Sequence, residues 1–321
     1  MLKHTILLAA AGLVLALAPA ANAGAIVYEG FGYNPSAADS SEWPSGNSYG
    51  DPLFLVGEPV QEEGTAPDVD ATGLAGTWAE VNQGDGDNMF LKAGSMSFGD
   101  LATSGNRIGF RDNLDWDINN RALTTDAQSA IGGSGTIWFS ILANKYMNRW
   151  SLNDDGFVLG NQVLGSAVVH SNDGSDGLAG FGVATTDAGN DWTAYAWDGS
   201  SQVVGDDALA VATNGSETHL LVGEISFDTG TGGKDEFTLY DVELNAGSVI
   251  GSTLVPICST VEADVDQSTL DTVNITRRQA TDWDELRIGT SLEDVGIIPE
   301  PATLALLGLG GLATLIRRKR R

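Results

Sequence analysis

A single cysteine, Cys258, in 321 residues leaves no partner for an intrachain disulfide, so stability must come from burying a core. Its neighbours Pro256, Ile257 and Ser259 belong to a β-rich stretch, where a buried, inert thiol is expected. Histidine is almost as scarce. His4 sits in an N-terminal apolar segment, and His170 and His219 lie far apart with no HExxH pattern, which gives a zinc site no support. No G-x-S-x-G elbow occurs, so a hydrolase of that type finds no motif. Basic residues are few, with 16 Lys+Arg against 43 Asp+Glu. Six of the basic residues and one acidic residue lie in the two end segments. Residues 24–298 therefore carry ten basic and 42 acidic side chains, a net charge of −32. Nucleic acid and anionic membrane surfaces both need a basic face and are excluded as partners. Calcium, cationic polymers and neutral glycans are compatible with this charge, and it keeps an exported chain soluble.

The two ends carry the sharpest signals. Met1-Leu2-Lys3-His4 leads into an apolar run from Thr5 to Ala18, followed by Ala21-Asn22-Ala23. A short basic start, an apolar core and small residues at Ala21 and Ala23 predict a secretory signal peptide, residues 1–23, cut by signal peptidase before Gly24. At the other end, Pro299-Glu300-Pro301 precedes ATLALLGLGGLATLI, residues 302–316, and then Arg317, Arg318, Lys319, Arg320 and Arg321. Fifteen helical residues span about 22 Å, short of a hydrocarbon core of about 30 Å. The basic cluster keeps this end in the cytoplasm and places the body outside, as the N-terminal signal also requires.

Residues 299–321 resemble the PEP-CTERM protein-sorting signal: a Pro-Glu-Pro triplet, a short glycine-containing apolar helix and a terminal arginine cluster, in that order. The resemblance implies recognition by an exosortase, a membrane cysteine transpeptidase. Processing would fall near Pro299, Glu300 and Pro301, while Arg317 and Arg318 halt translocation. It also implies a Gram-negative bacterium that secretes exopolysaccharide. The chain would be anchored transiently in the inner membrane by the 302–316 helix, then reach the cell surface or the extracellular space. A permanent single-span anchor is the alternative reading.

Between the ends, glycine is frequent (41) and proline sparse (9), and turn clusters such as Asp85-Gly86-Asp87-Asn88 separate short apolar runs. That texture predicts an all-β sandwich. In 136–143, Ile137, Phe139 and Ile141 oppose Trp138, Ser140 and Leu142. In 191–197, Trp192, Ala194 and Ala196 oppose Thr193, Tyr195 and Trp197. Leu221, Ile225 and Phe227 share a face, and Phe237 and Leu239 oppose Thr238, Tyr240, Val242 and Leu244. Several strands are apolar on both faces, as expected where a sheet is covered outside as well as inside. One short body helix is expected near Thr124–Ala130.

Three segments resemble exported concanavalin A-like domains found with such tails: AIVYEGFGY from Ala25, the pair THLLVGEISF and DEFTLYDVEL (Thr218–Phe227 and Asp235–Leu244), and DWDELRIGTSLEDV (Asp282–Val295). The implied fold for residues 24–298 is the concanavalin A-like, or laminin G-like, jelly roll, with its first and last strands side by side. The Ser-, Gly-, Pro- and Asp-rich stretch 34–76 departs from the pattern and is expected to be a surface excursion.

Some members of that fold are glucanases with a Glu-x-Asp-x-x-Glu strand, which places two carboxylates on one face. No such signature occurs. Asp282 and Asp284 share a parity, but Leu286 and Ile288 continue it as core residues. Glu285 and Arg287 are then expected to pair on the outward face, with Trp283 packed in the sandwich or under its rim and a bulge or a strand start just after it. Calcium has candidate ligands in turn loops, Asp154 and Asp155 in one and Asp173 and Asp176 in another, none matching the twelve-residue calcium loop. Asp, Asn and Gly also build ordinary turns. Most of the eight tryptophans are expected to fill core. Asn214-Gly215-Ser216 and Asn274-Ile275-Thr276 match the glycosylation pattern, as chance alone often produces. Three functions stay open: a non-catalytic structural or adhesive surface protein, a glycan-binding module that takes calcium, and a glycoside hydrolase.

Overall fold

The computed structural model describes residues 24–32, 53–54, 71–82, 90–92, 94–109, 117–145, 156–161, 179–185, 191–206, 217–277 and 281–298. Its strands are β1 (Val27–Glu29), β2 (Leu53–Phe54), β3 (Leu74–Asn82), β4 (Phe90–Lys92), β5 (Arg107–Gly109), β6 (Asp117–Leu123), β7 (Thr136–Lys145), β8 (Gly156–Gly160) and β9 (Gly180–Thr185). They continue as β10 (Trp192–Trp197), β11 (Gln202–Val204), β12 (His219–Ser226), β13 (Asp235–Asn245), β14 (Ser248–Pro256), β15 (Val261–Ala263), β16 (Thr272–Arg277) and β17 (Thr281–Gly289). Helix α1 (Thr125–Gly132) starts where the sequence placed it, capped by Thr124, whose hydroxyl accepts from the Ala127 N–H.

The period-two pattern decides the architecture. Ile137, Phe139 and Ile141 of β7 enter the main core, while Leu142 and Trp138 join a second apolar cluster on the other side of the same strand. Trp192, Ala194 and Ala196 face the main core, whereas Tyr195 and Trp197 lie on the opposite face. Among the described residues two antiparallel sheets result. One has ten strands, ordered β14-β13-β12-β7-β17-β5-β4-β2 with β1 on β17 and β15 on β13. The other has seven, ordered β11-β10-β9-β8-β16-β6-β3. β1 pairs antiparallel with β17, Val27 opposite Ile288, so the first and last strands are neighbours, as the jelly-roll expectation required.

Aromatic rings fill the space between the sheets. Phe139 packs on Phe157 across the interface (5.1 Å between centroids) and stacks on Phe237 within its own sheet (5.7 Å). Gly223 makes this possible: a Cβ there would come 2.2 Å from the Phe139 ring. Each large side chain buried in this way contributes about 1.5–3 kcal/mol. Cys258 is buried here too, accepts from the Ala194 N–H, and has its thiol pKa raised by burial. Inside the same core, Glu29 forms an ion pair with Arg121 that ties β1 to β6 across the two sheets.

Of the 34–76 stretch, residues 53–54 and 71–76 are described; Leu53 and Phe54 pair with β4, and β3 begins at Leu74. Among the described residues no helix is long and apolar enough to cross a membrane, and 302–316 lies outside them.

Candidate functional sites

β17 carries the first concentration of charge. One of its edges is shared by two short strands: Trp283 pairs with Ile108 of β5, then Leu286 to Ile288 pair with β1. Between those stretches the register against β7 shifts from Asp284 to Arg287, and Glu285 sits at φ 53. This is a bulge rather than a strand start after Trp283, which is fully buried against Trp192. The bulge corrects two readings. Asp284 does not share the core face of Leu286 and Ile288, because the extra residue reverses the parity before Leu286. Glu285 and Arg287 do pair, at 2.8 Å, but both are 0 % exposed rather than open to solvent.

They are buried because the segment 94–106 crosses over them. Glu285 accepts from the Tyr28 hydroxyl (3.0 Å) and from the Ser104 N–H. Arg287 donates to the Ala102 carbonyl (2.6 Å) and lies over the Tyr28 ring. Asp284 accepts from the Ser95 hydroxyl and the Met96 N–H (2.6 Å each), and Arg107 donates to Asp282 (2.8 Å). Burial, and to a lesser degree the neighbouring Glu285 charge, push the Asp284 carboxyl up to about 8, against the hydrogen bonds from Ser95 and Met96. Burial also raises the Tyr28 hydroxyl. The arrangement clamps a covering segment onto the sheet. A residue outside the usual backbone region costs about 1–3 kcal/mol, and the bonds to Tyr28, Ser104 and Arg287 hold Glu285 there.

The outer face of the seven-stranded sheet is different. Its register places Asn120, Asn274, Val158, Gly182, Tyr195 and Val204 in one row across six strands. The next row runs Ala122, Thr272, Gly160, Gly180, Trp197 and Gln202. Glycines thus floor the middle, with Tyr195 and Trp197 along one side and Asn120, Asn274 and Thr272 along the other. Among the described residues, the amide nitrogen of Asn120, the amide oxygen of Asn274 and the indole N–H of Trp197 are buried without hydrogen-bond partners. Asn274 is 0 % exposed, which removes the glycosylation pattern at that position from the surface. The sequence did hold a signal for this face: alternate glycines at 180 and 182, and Tyr195 and Trp197 at one parity.

Other candidates separate cleanly. Asp154, Asp155, Asp173, Asp176, Ala21, Ala23, Pro299, Glu300, Pro301, Arg317 and Arg318 lie outside the described residues. Among the described residues no three His, Cys, Asp or Glu side chains gather as metal ligands. His219 approaches Asp241 at 3.4 Å with no second imidazole described beside it. Trp78, Trp192, Trp197 and Trp283 are buried, and Trp138 stacks on Tyr240.

The described residues reach Ile298, where the tail's signal begins. Residues 298–321 match the PEP-CTERM protein-sorting motif. Signals of this kind are processed by exosortase and mark exported proteins handled at the membrane. No curated protein matches the chain. Among solved structures, a carbohydrate esterase of the Shiga toxin-encoding bacteriophage phi24B is 12% identical, with 67% of this chain and 90% of that one covered and a TM-score of 0.37. The Ca2+-bound VIP36 exoplasmic/lumenal domain is 8% identical, with 59% and 80% covered and a TM-score of 0.36. A legume lectin-like domain from Entamoeba histolytica is 11% identical, with 60% and 88% covered and a TM-score of 0.37.

Proposed function

We propose that the chain is a non-catalytic surface or matrix protein, structural or adhesive, exported through residues 1–23 and released to the cell surface by exosortase acting near Pro299-Glu300-Pro301. The observation that carries this reading is the sorting motif at residues 298–321. In this account the apolar run 302–316 is an address rather than an anchor: Gly308, Gly310 and Gly311 weaken it as a helix, and small residues suit close approach to a membrane enzyme. Changing the triplet to three alanines and fractionating the producing cells tests it. The variant should stay unprocessed in the inner membrane. Normal release would make the tail an ordinary span and end the sorting reading.

One observation favours a second role for the body, glycan binding. Aromatic faces, amides and hydroxyls around a glycine floor are the chemistry that takes a neutral sugar, and three buried polar atoms there lack partners among the described residues. The middle of this face, from Asn274 to Trp197, is buried, so a ligand there would be enclosed rather than laid on top. Calorimetry of residues 24–298 with neutral oligosaccharides, with and without calcium, tests this reading. Binding lost in both Asn274→Ala and Trp197→Ala supports it, and binding unchanged in both removes this face from consideration.

A further inference from the structure

The chain that leads into the sorting motif does not leave the body freely. After β17 it turns through 290–296, where Asp294 accepts from the Thr290 and Ser291 N–H groups (3.0 Å each). Val295 and Ile297 then sink into the apolar layer outside the ten-stranded sheet, beside Val249, Val242 and Leu142. The Ser140 hydroxyl donates to the Val295 carbonyl at 2.8 Å, and the Ile297 N–H closes the turn on Leu292 at 2.9 Å. Ile298 is the first residue of the matched motif. It pairs in parallel with Ile250 of β14, and its carbonyl accepts from the Gly251 N–H at 2.8 Å. Pro299 follows at once. The triplet spans about 10 Å when extended, so little chain separates this dock from the apolar run at Ala302.

We propose that the folded body gates its own processing: the triplet becomes a substrate only when residues 296–298 let go of the β14 edge. This rests on the sorting reading above. A peptidase takes its substrate as an extended segment whose backbone groups pair with the enzyme rather than with the substrate's own fold. Here the carbonyl immediately before Pro299 is already committed to Gly251, and the side chain one residue earlier is buried. The segment ends the described body and pairs with an end strand of the sheet, so it can open locally while the sandwich stays folded.

The test uses the full-length chain in the producing organism, with tail loss followed after a pulse label. Ile250→Cys combined with Ile298→Cys staples the dock, since paired strand neighbours lie within disulfide reach. The oxidised double variant should lose its tail at least about tenfold more slowly than the two single variants, and reductant should restore the rate. Eight Gly/Ser residues inserted between Ile298 and Pro299 should restore processing of the stapled chain. The same spacer in the unstapled chain should raise the rate above wild type, a result that does not depend on the disulfide forming. A stapled chain processed at the normal rate, a stapled chain still blocked with the spacer, or a spacer that changes nothing in the unstapled chain would each overturn the gate. A wild-type chain that never loses its tail would overturn the sorting reading itself.

Discussion

The two outer faces of the sandwich differ in what holds their buried polar groups. Outside the ten-stranded sheet, Asp282, Asp284, Glu285 and Arg287 are joined by side-chain hydrogen bonds, most of them to the crossing segment 94–106, although Arg287 Nη1 and the Asn144 amide oxygen are buried without a hydrogen bond among the described residues. Outside the seven-stranded sheet, Asn120, Asn274 and Trp197 each bury a polar atom with no hydrogen bond among the described residues, and these three lie together around the glycine rows. An unsatisfied buried group costs about 1–3 kcal/mol, whereas a satisfied network fixes one arrangement of the chain. The first face therefore reads as architecture. The second keeps a cost that the fold alone does not explain.

Removing one member of the hydrogen-bonded network under segment 94–106 should do the most damage. Arg287→Ala takes the guanidinium away from the buried Glu285 carboxyl and frees the Ala102 carbonyl. A loss of about 3–5 kcal/mol is expected in urea unfolding of residues 24–298. A loss below about 1 kcal/mol would mean that the 94–106 segment is not clamped through this residue.

Next in size is a pH effect. The folded protein holds the Asp284 proton up to about pH 8, while the unfolded chain gives it up near the ordinary carboxylate value. The folded state thus binds the extra proton between those limits, and raising the pH through that window lowers stability. Asp284→Asn cannot titrate and should flatten the fall in melting temperature between about pH 4 and pH 8. An unchanged slope would place the effect elsewhere.

The smallest stability effect belongs to the other face. Asn274→Ala removes an amide whose oxygen has no partner, but it also removes the amide's bonds to Val158 and Thr272. These should nearly cancel, leaving a change within about 1 kcal/mol. A loss comparable to that of Arg287→Ala would erase the contrast between the faces.

The sequence made some of this contrast readable and hid the rest for a physical reason. Alternation in β7, β10, β12 and β13 is local, and it grouped Ile137 with Phe139 and Ile141, Trp192 with Ala194 and Ala196, and Phe237 with Leu239, each set on one face, as they stand in the core. The adjacency of β1 and β17 came from the jelly-roll resemblance and is met by Val27 opposite Ile288. At β17 the local rule required a bulge or a strand start just after Trp283 and could not choose between them. The bulge falls between Asp284 and Arg287, where Glu285 takes a positive φ and the side chains beyond it swap faces. The partners that bury Glu285, namely Tyr28 and Ser104, are 257 and 181 residues away in sequence, beyond any pattern within one strand. The glycine-floored face needed the register of six strands at once.

The dock at Ile298 joins the clamped face to the protein's route out of the cell, and that route is the central claim. Intact-mass analysis of the protein collected from the surface or medium of the producing organism tests it most directly. The account predicts a chain that begins at Gly24 and ends near Pro299, with the apolar run and the five terminal basic residues gone. Surface protein that still carries Arg321 would contradict it.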